Sequence, residues 1–427
     1  MPLSPRNLLK LKDELVLTLA MGLALVIQFV FQSVAARSLT ADEYGQINSL
    51  LAIQGILNIP IAVWQLAQAR SLSSYHGSAP GFRKFAVRQL WQIRHAVLIV
   101  FGLYLLLGPL IRVYVGGTSW HIWILVVLGC LLSVIESWGL ACLQSRYAFL
   151  WLGLISIGAA LVRLTSIMIL LPHLDGAAAI MTAVLGGFMV PIVGIILFFR
   201  VAVSIPEKET AVLELSMVPA SLSAVFAILW LNIDFIVARN RFDPVMAGEY
   251  AAVAVLCKAV FWFANPIAII YLPRYVKALA EGPQKALQTL RRAVYLCLII
   301  SVAAILVGWT LSGWLLKLFA GERADVETVH WLRFAIVAKL PIICLTPLLT
   351  YFVAKDSKRV LVVLLSLLIL MFLYAQTFAY DVQVLLAILF VSGMMMFIFA
   401  VICVRLTVNT TDLHFSWERS ADRSDLS

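Results

Sequence analysis

The chain has 427 residues, of which 63% are hydrophobic and only 13% charged, with a formal net charge of +10. Soluble domains carry about 25% charged residues, so a water-soluble globular fold is excluded. The apolar runs are about 20 residues long, as a membrane-crossing helix requires, and lack the strict alternation of a transmembrane β-barrel.

The expectation is an all-α polytopic membrane protein. The runs place spans at 14–36, 47–69, 95–115, 119–143, 147–171, 176–199, 216–238, 249–273, 293–317, 328–352, 360–380 and 382–404. Lys10 and Lys12 precede the first run as in a signal peptide, but the run's length and the many spans that follow predict an uncleaved first helix. About twelve transmembrane helices are therefore expected, in two parallel six-helix lobes at 1–200 and 214–406. A cytoplasmic linker at 201–213 joins them, and a disordered cytoplasmic tail follows at 407–427. Two longer linkers, 74–94 and 275–292, mix Phe or Leu with Lys and Arg and are expected to lie as helices on the membrane surface. All remaining loops are too short for a folded domain.

The division into halves rests on an internal repeat. Ala36-Arg37, Tyr44-Gly45, Asn58-Ile59-Pro60-Ile61-Ala62 and Arg70 recur as Ala238-Arg239, Gly248-Glu249-Tyr250, Asn265-Pro266-Ile267-Ala268 and Arg274. Six spans per half make the repeats parallel, related by an axis along the membrane normal. Pro60 and Pro266 fall at matching places, where proline interrupts the helix ladder, and are read as hinges.

The basic residues set the orientation. Of 32 Lys and Arg, 22 lie in the terminal tails and the alternate linkers that share their side, six in the opposite loops and four inside spans. The positive-inside rule then puts both termini in the cytoplasm. The excess charge thus follows topology and anionic lipid, which argues against nucleic acid as a partner. The six cysteines all fall inside spans without C-x-x-C pairing and read as packing residues. Trp120, Trp123, Tyr114 and Trp331, at span ends, read as interfacial anchors. G-x-x-x-x-G-K-[ST] is absent, and no metal or cofactor signature is present.

Ionisable groups inside spans are the candidate site, because each costs roughly 2.5–3.5 kcal/mol even on the lenient insertion scale. Lys258, Lys339, Arg163 and Arg333 oppose Glu136 and Asp234, leaving a cationic interior suited to phosphate or pyrophosphate. Asp234 and Lys258 lie at similar depth on consecutive spans and can equally form a structural ion pair, while Arg333 can snorkel outward. Gln54, Asn58, Gln65 and Gln68 share one face of the second span, and Gln28 and Gln32 one face of the first. These amides line either a watered cavity, where with Trp64 and Trp262 they suit sugars, or a seam between helices.

Ala36-Arg37 through Tyr44-Gly45, Asn232-Ile233-Asp234 with Ala247-Gly248-Glu249-Tyr250, and Leu272-Pro273-Arg274 resemble the polysaccharide transporter branch of the multidrug/oligosaccharidyl-lipid/polysaccharide flippase superfamily. The resemblance implies a two-lobed, twelve-helix flippase of the bacterial inner membrane. Its cargo would be an undecaprenyl-pyrophosphate-linked oligosaccharide for surface polysaccharide assembly, moved by alternating access in a cationic cavity. The implied partners are that substrate, membrane lipids and a polysaccharide polymerase or export machinery; no cofactor and no catalytic residue are implied. The superfamily's drug antiporters often carry a carboxylate in the first span, where this chain has Gln28 and Gln32, although Asp234 or Glu136 offers an alternative coupling group. A cation-coupled drug antiporter therefore stays open. So does a membrane-embedded polymerase or glycosyltransferase, although the short outer loops disfavour it.

Overall fold

A computed structural model describes residues 5–73, 79–114, 119–146, 148–201, 217–321 and 325–424, with backbone alone described at several stretches, including 5–18, 262–266 and 407–424. Fourteen α-helices occupy the described residues: α1 (Pro5–Ser38), α2 (Ala41–Leu57), α3 (Ile59–Ser73), α4 (Ala79–Gln92), α5 (Arg94–Tyr114), α6 (Trp120–Ser145), α7 (Phe149–Leu170), α8 (Gly176–Val201), α9 (Met217–Arg241), α10 (Pro244–Glu281), α11 (Pro283–Ala320), α12 (Val326–Ala354), α13 (Lys358–Phe378) and α14 (Val382–Ser424). Ten are long and apolar enough to cross a membrane, and twelve spans result if the bent pairs α2–α3 and α4–α5 each count as one. The protein is a multi-pass, all-helical membrane protein.

The second expected span is broken. Its first part starts cleanly: Thr40 caps α2, taking the Glu43 amide at 3.3 Å while the Glu43 carboxylate takes the Thr40 amide at 2.8 Å. This reciprocal box separates α2 from α1. At Asn58 the path bends by 44° into α3. Pro60 has no N–H to return to Ile56, and sits in the first turn of α3, where that loss is tolerated. The Leu57 carbonyl instead accepts the Tyr104 hydroxyl of α5. The Asn58 side chain accepts Ser133 of α6 at 3.0 Å. The span is thus bent beside Pro60, and two neighbouring spans hold the bend. Pro266 lies within α10, but its side chain is outside the described residues.

Two compact units arise by contact. The first comprises 1–212, 228–252 and 313–328, and the second 213–227, 253–312 and 329–427. In the first, α7 packs along α1 and α8, and α6 packs against α2, α3, α5 and α8. Small residues allow a close crossing between α2 and the start of α10. A Cβ on Gly45 would lie 2.8 Å from the Gly248 backbone, and one on Gly248 only 1.7 Å from the Ala41 carbonyl oxygen. These are the repeat-related glycines of Tyr44-Gly45 and Gly248-Glu249-Tyr250. The equivalent arginines also act here: Arg37 donates to the Lys317 carbonyl at 3.2 Å and to that of Leu318, in the last turn of α11. Arg239 pairs with Asp42, in the first turn of α2, at 2.6 Å.

In the second unit, α12 is the most enclosed span, 89% of its most apolar window being buried. Tyr275 of α10 meets Tyr351 of α12 edge to face with ring centroids 5.8 Å apart.

Two expectations are corrected. The 74–94 linker does contain an amphipathic helix, α4, with Phe82 and Ala86 buried and Arg83, Lys84 and Arg88 exposed. The matching 275–292 linker is no separate surface helix: α10 and α11 simply run on through it and meet at Gly282, whose φ of +123° only glycine adopts readily. Trp123 and Trp331 are also not interfacial anchors, being 0% and 2% exposed inside the fold. Trp120 is exposed and stacks with Arg112 at 4.4 Å. Five cysteines are buried and all six are free, in keeping with packing roles.

The Gly45–Gly248 crossing gives a direct expectation. Gly248→Val overpacks it and should lower the melting temperature of the purified protein by several degrees, equivalent to about 1–3 kcal/mol. Gly22→Val, where a Cβ meets nothing within 4 Å, should leave it unchanged. Equal melting temperatures for the two variants would show that the crossing carries no stability.

Candidate functional site

The charges inside the membrane divide between the two units. In the first, Arg163 extends from α7 toward α1 and donates from Nη1 to the Gln28 side-chain oxygen at 3.3 Å. Its guanidinium lies 5.5 Å from the Phe188 ring centroid on α8. The space comes from Gly187, where a Cβ would approach Arg163 Nε to 2.3 Å. Glu136 on α6 is close enough to act on this arginine electrostatically. Arg163, Glu136 and Gln28 are thus brought together by α1, α6, α7 and α8. Gln32, one turn along α1, accepts the Tyr44 hydroxyl at 3.3 Å.

The amide stripe of the second span faces α6. A Cβ on Gly129 would meet the Gln54 amide nitrogen at 2.2 Å, Asn58 accepts Ser133, and Gln65 approaches Gln144 at 3.5 Å. All three partners lie on α6. The geometry is that of a seam between helices, and in hydrocarbon such amides contribute by interhelical hydrogen bonding. Asp234 is wholly buried on α9 and accepts the Tyr250 hydroxyl at 3.0 Å.

In the second unit, Lys339 of α12 is 6% exposed, six residues past Arg333 and just ahead of Pro341. Lys258 of α10 is half-buried. Arg333 turns to α11, donating from Nε to Ser312 at 3.0 Å and lying 5.9 Å from the Trp309 ring. Trp309 is half exposed on the apolar surface of the unit, so Arg333 is positioned as a packing and anchoring cation.

Sequence reasoning passed over Tyr104, Ser133 and Tyr44, whose hydroxyls satisfy the broken span and the first-span amide. Their only signal is chemical: a hydroxyl in a span facing a neighbour that has an orphan carbonyl or amide. The Asp42–Arg239 pair was concealed because its partners are nearly 200 residues apart.

No family model matches this chain, and no curated protein matches it by sequence. Solved structures do match by fold. The chain is similar to an inward-facing multidrug resistance MATE family transporter of the MOP superfamily, at 14% identity and TM-score 0.58 over 93% of this chain and 95% of that one. It is similar to the eukaryotic MATE transporter AtDTX14, at 13% identity and TM-score 0.63 over 93% and 96%. A MOP superfamily transporter from Pyrococcus furiosus matches at 11% identity and TM-score 0.60 over 93% and 96%. The chain therefore has the two-lobed fold of these transporters, along nearly its whole length.

The Arg163–Glu136 arrangement is testable by a double-mutant cycle. Arg163→Met and Glu136→Gln should each destabilise the protein, and the double variant should recover part of the loss, with a coupling of about 0.5–3 kcal/mol. Strictly additive losses in thermal unfolding would show that the two charges do not interact.

Proposed function

We propose that this protein is an alternating-access transporter of the bacterial inner membrane that flips a lipid-linked, pyrophosphate-bearing oligosaccharide between leaflets. The observation that carries the reading is the charge of the membrane interior. The predicted spans hold four cations, Arg163, Lys258, Arg333 and Lys339, and two carboxylates, Glu136 and Asp234. By formal count the cations exceed the carboxylates, and a charge at the bilayer centre costs roughly 2.5–3.5 kcal/mol. An anionic cargo repays that cost in the loaded protein. Lys339, on the most enclosed span, and Lys258 are assigned to the pyrophosphate. Arg163, which contacts Gln28, and Arg333, which contacts Ser312, are the further cationic candidates. Gln28 and Gln32 offer the polar atoms for sugars or water, whereas Gln54, Asn58 and Gln65 serve the α6 seam. The membrane-embedded residues hold the cargo and need no cofactor. A polymerase or export machinery would receive it, and both termini would face the cytoplasm.

A drug antiporter is the second reading, favoured by one observation: the fold matches include proteins described as multidrug resistance transporters. Glu136 beside Arg163 would then supply the titrating group. The fold does not decide the sign of the cargo, since the Pyrococcus protein is itself described as having a binding pocket of reversed polarity that suggests a different function.

The decisive test reconstitutes the protein in vesicles with a fluorescent lipid-linked oligosaccharide in one leaflet and follows its appearance in the other. Wild type should move it. Lys339→Met, which keeps the side chain's length, should slow transport about tenfold or more, the loss expected for a charge-assisted hydrogen bond of about 1.5–3 kcal/mol. Export of cationic drugs driven by a cation gradient, with the oligosaccharide left in place, would establish the antiporter instead.

A further inference from the structure

Behind the break in the second span lies an apolar cavity of about 190 Å³, walled by α3, α5 and α6. Pro60 and Trp64 line it from α3, Val97, Phe101 and Tyr104 from α5, and Leu131 from α6. No charged or carboxamide side chain lines it, and the Tyr104 hydroxyl is spent on the Leu57 carbonyl. Apolar cavities of this size stay dry and take apolar ligands rather than water. This one is partly open. On either side of its cavity-lining face, α5 carries Leu98 and Leu103 with Leu107, which are 62%, 52% and 41% exposed on the apolar outer surface. The hydrocarbon that can reach such a cavity is a lipid chain.

The inner end of the same wall is strongly basic. Ile93 lines the cavity, and the next residue, Arg94, is exposed. Arg94 donates to the Trp91 carbonyl at 2.8 Å and lies 5.9 Å from that ring. Preceding it, α4 turns Arg83, Lys84, Arg88 and Trp91 outward on one face. The opposite face is fixed to the core through Phe82 and Ala86, whose carbonyl accepts the Trp138 indole N–H at 3.0 Å. Three exposed cations and a tryptophan on the core-anchored helix α4, with Arg94 at the start of α5, form a platform for an anionic phosphate at the foot of a chain-sized apolar slot.

We infer that an anionic membrane phospholipid binds here, with one acyl chain in the cavity and its phosphate on Arg88 and Arg94. The site is separate from the cations assigned to cargo, and it does not depend on what that cargo is. A chain seated against Pro60 and Tyr104 supports the bent form of α2–α3, so the lipid acts as a structural wedge at the discontinuity.

The test uses the full chain in nanodiscs containing phosphatidylglycerol with a photoreactive group on one acyl chain, compared with phosphatidylcholine bearing the same chain. Cross-links from phosphatidylglycerol should map to 60–64 and 93–104 and exceed those from phosphatidylcholine at least fivefold. The surface variant Arg88→Gln/Arg94→Gln, which leaves the core untouched, should abolish that preference. Val97→Trp, which fills the cavity, should remove the cross-links while keeping the protein's melting temperature independent of added phosphatidylglycerol. Equal labelling by the two lipids, or labelling that maps elsewhere, overturns the inference. So does labelling at these positions by a polyprenyl pyrophosphate alone.

Discussion

Inside hydrocarbon a backbone carbonyl that loses its helical donor has no water to turn to, so each irregularity in a span obliges a neighbour to supply a partner. The second span shows how far this constraint reaches. Pro60 takes one amide out of the ladder, the bend of 44° takes the Leu57 carbonyl out of line, and the repair comes from Tyr104 on α5. Ser133 on α6 holds the Asn58 side chain from the other flank. Once α5 and α6 are committed to that carbonyl and that amide, their separation from α3 is set, and an apolar gap is left between them. The cavity is thus a consequence of the break as much as the Tyr104 contact is.

The repeat works at a different level. Glycines from both copies of the repeat motif, Gly45 and Gly248, meet each other, and a Cβ on either would clash with the other helix's backbone. The larger groups have diverged. Arg37 lies against the carbonyl end of α11, where a cation is favoured by the helix dipole, whereas Arg239 pairs with a carboxylate in the first turn of α2. The two arginines of the repeat motif therefore serve different partners.

Much of this was legible in the chain. Span positions followed from apolar run length alone, because crossing hydrocarbon imposes one length on every helix. The break followed from Asn58-Ile59-Pro60, and the surface helix α4 from its mixture of Phe and Arg. What failed did so for identifiable reasons. Trp123 sits at a span end, as an interfacial anchor does, and sequence does not say whether a span end faces lipid or a neighbour. The 275–292 linker has the composition of a surface helix, but the glycine that ends α10 turns the chain straight into α11. The amide stripe was correctly placed on one face, yet periodicity cannot name what that face meets. Gln54, Asn58 and Gln65 proved to face α6. The burial of Lys339 follows from α12 being the most enclosed span, a property of packing rather than of its own sequence.

The fold is shared with proteins described as multidrug resistance transporters and with one described as having a pocket of reversed polarity, so fold alone does not set the charge of a cargo. A carboxylate in the first span would have offered a coupling site for a cation there, and Gln28 stands in that span instead. It is bound not to an ion but to Arg163, a cation that is part of the chain. A fixed guanidinium cannot leave, so it cannot be exchanged along a gradient as a bound ion is. It gives the polar cluster of the first unit a fixed cation, with Glu136 as its electrostatic counterpart. Lys258 and Lys339, membrane-depth cations without a span carboxylate in their own unit, lie in the second unit, whereas in the first unit Arg163 is outnumbered by Glu136 and Asp234.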